Sequence, residues 1–210
     1  MRLYLSSYQL GDHPERLTGL VRGDGRGAVI MNALDGHDED RRRRDLSAQV
    51  AALRSLGLDA VDLDLRVTRS DELAARLAGV DFVWVRGGNV FTLRMAMARS
   101  GADEALVHAL ADDRLVYAGF SAGPCVLAPS LRGLEKCDPV SDCERAYGEV
   151  RFDGLGILDR PVVPHLDTPT HPESVVLGEV ASAYARAGQP FWGLRDGQAL
   201  VMDGDVTELV

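Results

Sequence analysis

Residues 115–124 read Leu115-Val-Tyr-Ala-Gly-Phe-Ser121-Ala-Gly-Pro124. An apolar run with β-branched and aromatic members ends in Gly119-Phe120-Ser121-Ala122-Gly123, the G-x-S-x-G spacing of a nucleophile elbow. In such an elbow the serine sits on a sharp turn between a strand and a helix. The turn lifts its Oγ clear of the sheet and aims the next backbone N–H at the same reacting carbonyl, and the flanking glycines leave steric room. The bare pattern is weak, because a chain of this glycine and serine content contains it by chance in roughly one case in eight. Its context strengthens it. Residues 115–120 suit a buried strand, and Pro124 falls in the first turn of a following helix, where proline is tolerated. The plainer alternative is a strand–turn–helix corner whose serine only caps the helix.

Outward from the elbow, strand-like and helix-like patterns alternate. Strands are expected at 2–6, 27–32, 60–65, 80–86, 115–120 and 161–164, and three short ones at 191–194, 199–203 and 206–210. Helices are expected at 42–56 with Gly57 as its stop, at 70–77 with Ser70 as N-cap, and at 90–99, 102–111 and 172–187. Residues 130–156 are less regular and read as a long connection carrying site residues. The alternation predicts an α/β fold over residues 1–210 as one domain, a doubly wound, mostly parallel sheet with helices on both faces. Ligands of such sheets bind at the carboxyl ends of strands. The turns at 87–89 (Gly-Gly-Asn) and 119–123 both lie there.

The composition, 46% hydrophobic and 26% charged with a net charge of −9, is that of a globular protein and argues against nucleic-acid or anionic-membrane partners. No run is apolar and long enough for a membrane span, and residues 1–9 lack a signal-peptide core, so a cytoplasmic location is expected. Cys125, Cys137 and Cys143 form neither a disulfide framework nor a zinc site, and Cys125 reads as a small buried apolar residue. The run Asp38-Glu-Asp-Arg-Arg-Arg-Arg-Asp45 is nearly neutral and reads as a solvated helix start.

A serine nucleophile needs a base. Of His13, His37, His108, His165 and His171, His165 follows Pro161-Val-Val-Pro164 at a strand end and is the first candidate; His171, just before a helix, is the second. The base needs an acid to fix its tautomer. Glu135, Asp138, Asp142, Glu144, Glu149 and Asp153 lie between serine and histidine, and spacing does not choose among them. The oxyanion hole would combine the N–H of Ala122 with one from the Gly87-Gly88-Asn89 loop.

Val85-Arg-Gly-Gly-Asn-Val-Phe91, Tyr117-Ala-Gly-Phe-Ser-Ala-Gly123 and Val163-Pro-His165 together resemble the alpha-aspartyl dipeptidase (peptidase E) family of serine peptidases, relatives of cyanophycinase. The resemblance implies a class I glutamine amidotransferase-like fold, Ser121 as nucleophile, His165 as base, and the N–H groups of Gly88 and Ala122 as oxyanion hole. It favours Asp138 as the third member, with Glu135 close behind. Asn89 and His171 are expected to contact substrate. No metal or organic cofactor is implied. Members that cleave after an N-terminal aspartate hold its carboxylate with an arginine beyond the catalytic histidine. The corresponding stretch here, His171 to Glu179, has two glutamates and no arginine, so strict aspartyl specificity is not expected, although Arg86 or Arg132 could substitute. The expected partner is a small peptide. A homodimer is compatible with apolar residues in the last helix and strands. The competing expectations are another acyl hydrolase, an amidase or esterase, on the same site, and a non-catalytic binding module.

Overall fold

The structure is a computed structural model that describes residues 1–210. The chain runs β1 (Arg2–Ser6), α1 (Glu15–Leu20), β2 (Arg26–Ile30), α2 (Glu39–Ser55), β3 (Asp59–Asp62), α3 (Ser70–Ala78) and β4 (Phe82–Val85). It continues through α4 (Val90–Ser100), α5 (Ala102–Ala111), β5 (Val116–Phe120), α6 (Ala122–Cys125) and α7 (Val140–Tyr147). It ends with β6 (Val162–Val163), α8 (Ser174–Arg186), β7 (Trp192–Gly193), β8 (Ala199–Asp203) and β9 (Val206–Leu209). Seven strands form one sheet in the order β3-β2-β4-β5-β1-β8-β9. The first five are parallel, while β8 and β9 run antiparallel. β6 and β7 form a separate parallel pair.

Successive side chains of the central strands enter different cores, as the two-residue period requires. Leu3, Leu5, Val83, Val85 and Tyr117 pack in one cluster with α4 and α5, while Tyr4, Val29, Phe82, Trp84 and Phe120 pack in the other. Both faces of the sheet are therefore covered, which is why β4 and β5 read as unbroken apolar runs. Burial of each such side chain contributes about 1.5–3 kcal/mol. No helix is long and apolar enough to cross a membrane.

Several elements depart from their sequence reading. α2 starts at Glu39, because the Asp38 carboxylate accepts the N–H groups of Asp40 and Arg41 as N-cap. The charge run does open a helix, but it is not all solvated: Arg42 is buried and pairs with Asp62 and Asp64. Ser70 is the first helical residue of α3 rather than its cap; Arg69 holds the cap position without a side-chain bond. Strand pairing in β3 stops at Asp62, and the Leu65 N–H turns to Asn32 Oδ1. The connection at 130–156 contains α7, and α1 precedes β2; both are short, and α7 buries only Cys143.

Two features of the sheet position the site. Gly119 and Gly123 flank the turn after β5 because that turn presses on β4: a Cβ would lie 2.4 Å from the Val85 carbonyl oxygen at Gly119 and 2.7 Å at Gly123. β8 is antiparallel to β1, with Ser6 opposite Ala199. The residues just before β8 therefore reach the same edge of the sheet as the carboxyl ends of β1, β4 and β5.

Candidate active site

At that edge lies a cleft of about 320 Å³ lined by residues including Ser121, Gly88, His165, His171, Asp138 and Arg86. Ser121 ends the buried β5 and has φ 53° and ψ −109°, a backbone conformation that a non-glycine residue holds only under strain. Its N–H is shared between the carbonyls of Ser6 and Ser7 at 3.3 and 3.2 Å, which tie the turn to the end of β1. The loop after β4 lies against it: a Cβ on Gly87 would meet the Ser121 Cβ at 2.8 Å. Gly88, at φ +140°, has an N–H with no acceptor in the protein. Ala122 opens α6, and an N–H at that position has no partner within its helix. Both N–H groups are thus available to an oxyanion.

His165 is almost fully buried and also has positive φ, 57°. Its N–H donates to Ser7 Oγ at 2.8 Å, and its Nδ1 lies 2.6 Å from Asp196 Oδ1. Ser7 Oγ donates to the same carboxylate oxygen at 2.8 Å, and the Asp196 N–H donates to Thr168 Oγ1 at 3.0 Å. A carboxylate on Nδ1 assigns the proton to that nitrogen and leaves the Nε2 lone pair free. Burial holds the imidazole below its ordinary pKa against the pull of Asp196, and His171 adds to the lowering. The ring is thereby kept neutral, the form a general base needs. No hydrogen bond joins Ser121 Oγ to His165 in this conformation, a common state of an unliganded site.

The acid beside His165 is Asp196, not Asp138 or Glu135. Glu135 lies in the turn 134–136 and accepts the N–H of Gly133, away from the cleft. Asp138 lines the cleft, but its Oδ2 accepts the Val90 N–H at 2.8 Å at the start of α4. Restricting candidates to the interval between serine and histidine missed an acid 31 residues beyond the histidine. The one signal for it was an acid in the turn Arg195-Asp196-Gly197 immediately before a strand.

Asn89 reaches the cleft wall, but its side chain is engaged elsewhere: Oδ1 caps α4 through Phe91 and Thr92, and Nδ2 donates to the Pro139 carbonyl. Substrate contact by its amide is therefore not the arrangement seen. Arg86 lines the cleft, its guanidinium donating to Asp45 and to the Gly87 carbonyl. Arg41 lines it too, whereas Arg132 stacks on Phe152 elsewhere. Cys125 is buried, and its Sγ–H donates to the Val162 carbonyl, as a packing residue would.

His165, His171 and Glu173 bring potential ligand atoms within 4.8 Å of one another. The two imidazoles, however, are face to face, 3.6 Å between centroids and 3° from parallel. A metal ion lies in the plane of each ring that binds it. Stacked parallel rings cannot both meet that requirement, so the cluster is not a preformed metal centre.

The Asp138 carboxyl is pushed up to about 7, chiefly by burial, with Glu173 and Asp142 adding to the rise and the Val90 N–H opposing it. A carboxyl raised in this way stabilises the fold below its unfolded value, and that stability is lost as pH climbs through about 7. Asp138→Asn keeps an acceptor for Val90 and removes the buried charge. It is expected to stabilise the protein at pH 8 by roughly 1–3 kcal/mol, with the gain gone near pH 4. Denaturant titration at the two pH values checks this; an equal gain at both would refute the electrostatic cause.

The chain is similar to known proteins over most of its length. The sequence profile of peptidase family S51 matches residues 44–210. Peptidase E of Streptomyces coelicolor is 33% identical over 197 residues, 91% of this chain and 73% of that protein. An uncharacterized peptidase of Listeria innocua is 34% identical over 114 residues, and one of Listeria monocytogenes is 30% identical over 138. These two matches cover 54% and 66% of this chain, and the chain spans only 53% and 64% of the two Listeria proteins' length. In fold, the chain superposes over its whole length on 97% of a Listeria monocytogenes protein assigned to peptidase E, with TM-score 0.83 and 23% identity. A peptidase from an acI-B1 actinobacterium follows at TM-score 0.70 and 17% identity, with 100% of this chain and 86% of that one covered.

Proposed function

The chain belongs to peptidase family S51, and from that premise we propose that this serine peptidase cleaves the peptide bond of a small peptide through Ser121, His165 and Asp196. Ser121 Oγ attacks the carbonyl carbon as its proton passes to His165 Nε2. The C–N bond then breaks as the same nitrogen protonates the departing amine, and water repeats the sequence to release the acid. Asp196 holds the Nδ1–H tautomer and stabilises the imidazolium. The N–H groups of Gly88 and Ala122 take the oxyanion. The observation that carries this reading is the strained Ser121 turn in one cleft with a histidine whose Nδ1 is held 2.6 Å from a carboxylate.

The substrate reading rests on the cleft itself. Its volume is at the lower end for ligand cavities, which suits one or two residues. His37, Arg41 and Arg86 supply positive charge or donors, and Asp138, Asp142 and Glu173 supply carboxylates. Neither Asp138 nor Glu173 has a cationic partner within ion-pair distance. A short peptide with a free α-ammonium and a carboxylate complements both sets. The chemistry requires no metal.

The test is a fluorophosphonate probe on the wild-type protein, with the modified residue located by peptide mapping. A panel of dipeptides follows, free and N-acetylated, with the first residue varied. Modification at Ser121 and preference for free dipeptides are expected. A folded protein that neither takes the probe nor cleaves any member of the panel would overturn the reading. Turnover of simple esters with no member of the peptide panel cleaved would move the protein to the esterases.

A further inference from the structure

The base has one polar anchor. Nδ1 of His165 is held by Asp196, and Ser121 Oγ makes no bond to the other side of the ring. A single in-plane hydrogen bond leaves the ring free to twist about the Nδ1···Oδ1 line, which swings Nε2 away from the nucleophile. A flat surface against one face of the ring removes that freedom. His171 supplies one: its ring lies parallel to that of His165 with 3.6 Å between centroids. The Tyr8 ring stands edge-on to both, at 6.0 and 5.7 Å.

His171 is itself held from three directions. Its Nδ1 accepts the Glu173 N–H at 3.3 Å, its own N–H donates to the Thr168 carbonyl at 2.9 Å, and its carbonyl accepts the Ser174 N–H at 3.1 Å. Pro172, next in the chain, restricts its backbone further. Thr168 is the residue whose Oγ1 accepts the Asp196 N–H. The turn between β6 and α8 thus links the acid at one edge of the imidazole to the ring on its face.

We propose that His171 is a positioning residue that fixes the plane of the His165 imidazole by stacking on it. The inference rests on His165 being the base. The reaction passes through a His165 imidazolium, and His171, whose Nδ1 accepts the Glu173 N–H, stacks on it as a neutral ring. The titratable and charged groups facing this pair are Tyr8 from the loop after β1, Glu173 from the start of α8, Asp196 from the turn before β8, and Asp138 and Arg86 across the cleft.

His171→Ala, His171→Phe and wild type separate the possibilities. The readouts are the rate of fluorophosphonate modification of Ser121 against pH, which needs no substrate, and kcat and KM on the best dipeptide. Ala is expected to slow modification and kcat by about 10- to 100-fold with KM nearly unchanged, the scale of a misplaced catalytic group. Phe, which stacks but carries no charge, is expected to restore most of the rate. An Ala variant at the wild-type rate would overturn the proposal. So would a Phe variant as slow as Ala, or a change confined to KM, which would make His171 a substrate contact. A wild-type protein that takes no probe would instead defeat the base assignment on which the proposal depends, and the proposal with it.

Discussion

Asp196→Asn is expected to lower kcat by about 10³–10⁴ with little change in KM. The side chains are nearly the same size, so the packing around the turn before β8 survives. The hydrogen-bond polarity does not. Asp196 Oδ1 accepts from both His165 Nδ1 and Ser7 Oγ. An amide that presents its NH₂ to Nδ1 selects the opposite tautomer. The proton then sits on Nε2, where it faces Ser121 and cannot accept the serine proton. If the amide keeps its oxygen toward Nδ1, the tautomer is right but the imidazolium loses its counter-charge. Both outcomes slow the chemical step and spare binding. Asp138→Asn and Glu135→Gln, measured alongside, are expected to keep kcat within about tenfold, since neither carboxylate bonds to His165. A large kcat loss in Asp138→Asn with a tolerant Asp196→Asn would reverse the assignment of the acid.

Ser121→Ala is expected to remove probe modification altogether and to cost about 10⁶ in kcat, because base and acid have no role once the nucleophile is gone. Ser121→Gly should be equally inactive and also more stable. Serine at φ 53° and ψ −109° is strained, and glycine reaches that region freely. Relief of the strain, less the extra chain entropy that glycine brings to the unfolded state, leaves a gain of about 1 kcal/mol. For a chain of this size that is about 2–4 °C in Tm. Ser121→Ala keeps the Cβ, so it keeps the strain and should melt near wild type. Thermal melts of the three proteins decide this. A Gly variant that melts well below wild type would show that the turn holds no usable strain. A Gly variant that is more stable and inactive would show that the fold maintains this turn for the nucleophile's geometry.

The sheet was legible because its evidence is local. Phe82–Val85 and Val116–Phe120 are short, wholly apolar and followed by glycine-bearing turns, and a parallel strand buried on both faces leaves that mark. The elbow was legible for a related reason: Gly119 and Gly123 have to lack side chains where β5 and α6 press on the Val85 carbonyl. His165 could be found because it directly follows a strand. α7 and the exact start of α2 were less visible, since short, charged helices owe their existence to caps and tertiary contacts more than to an apolar period.

The sequence by itself determined the layered α/β architecture, the carboxyl-end location of the cleft, and the serine and histidine that line it. Each of these follows from patterns only a few residues long. Tertiary structure alone decided which acid lies beside the histidine. Asp196 reaches His165 because β8 lies antiparallel beside β1 and so begins at the edge where the parallel strands end. The pairing of β6 with β7 then brings Leu166 N–H to the Leu194 carbonyl and closes the last gap. Strand direction and cross-sheet register depend on the packing of segments far apart in the chain. The 30 residues between His165 and Asp196 carry no periodicity that encodes them.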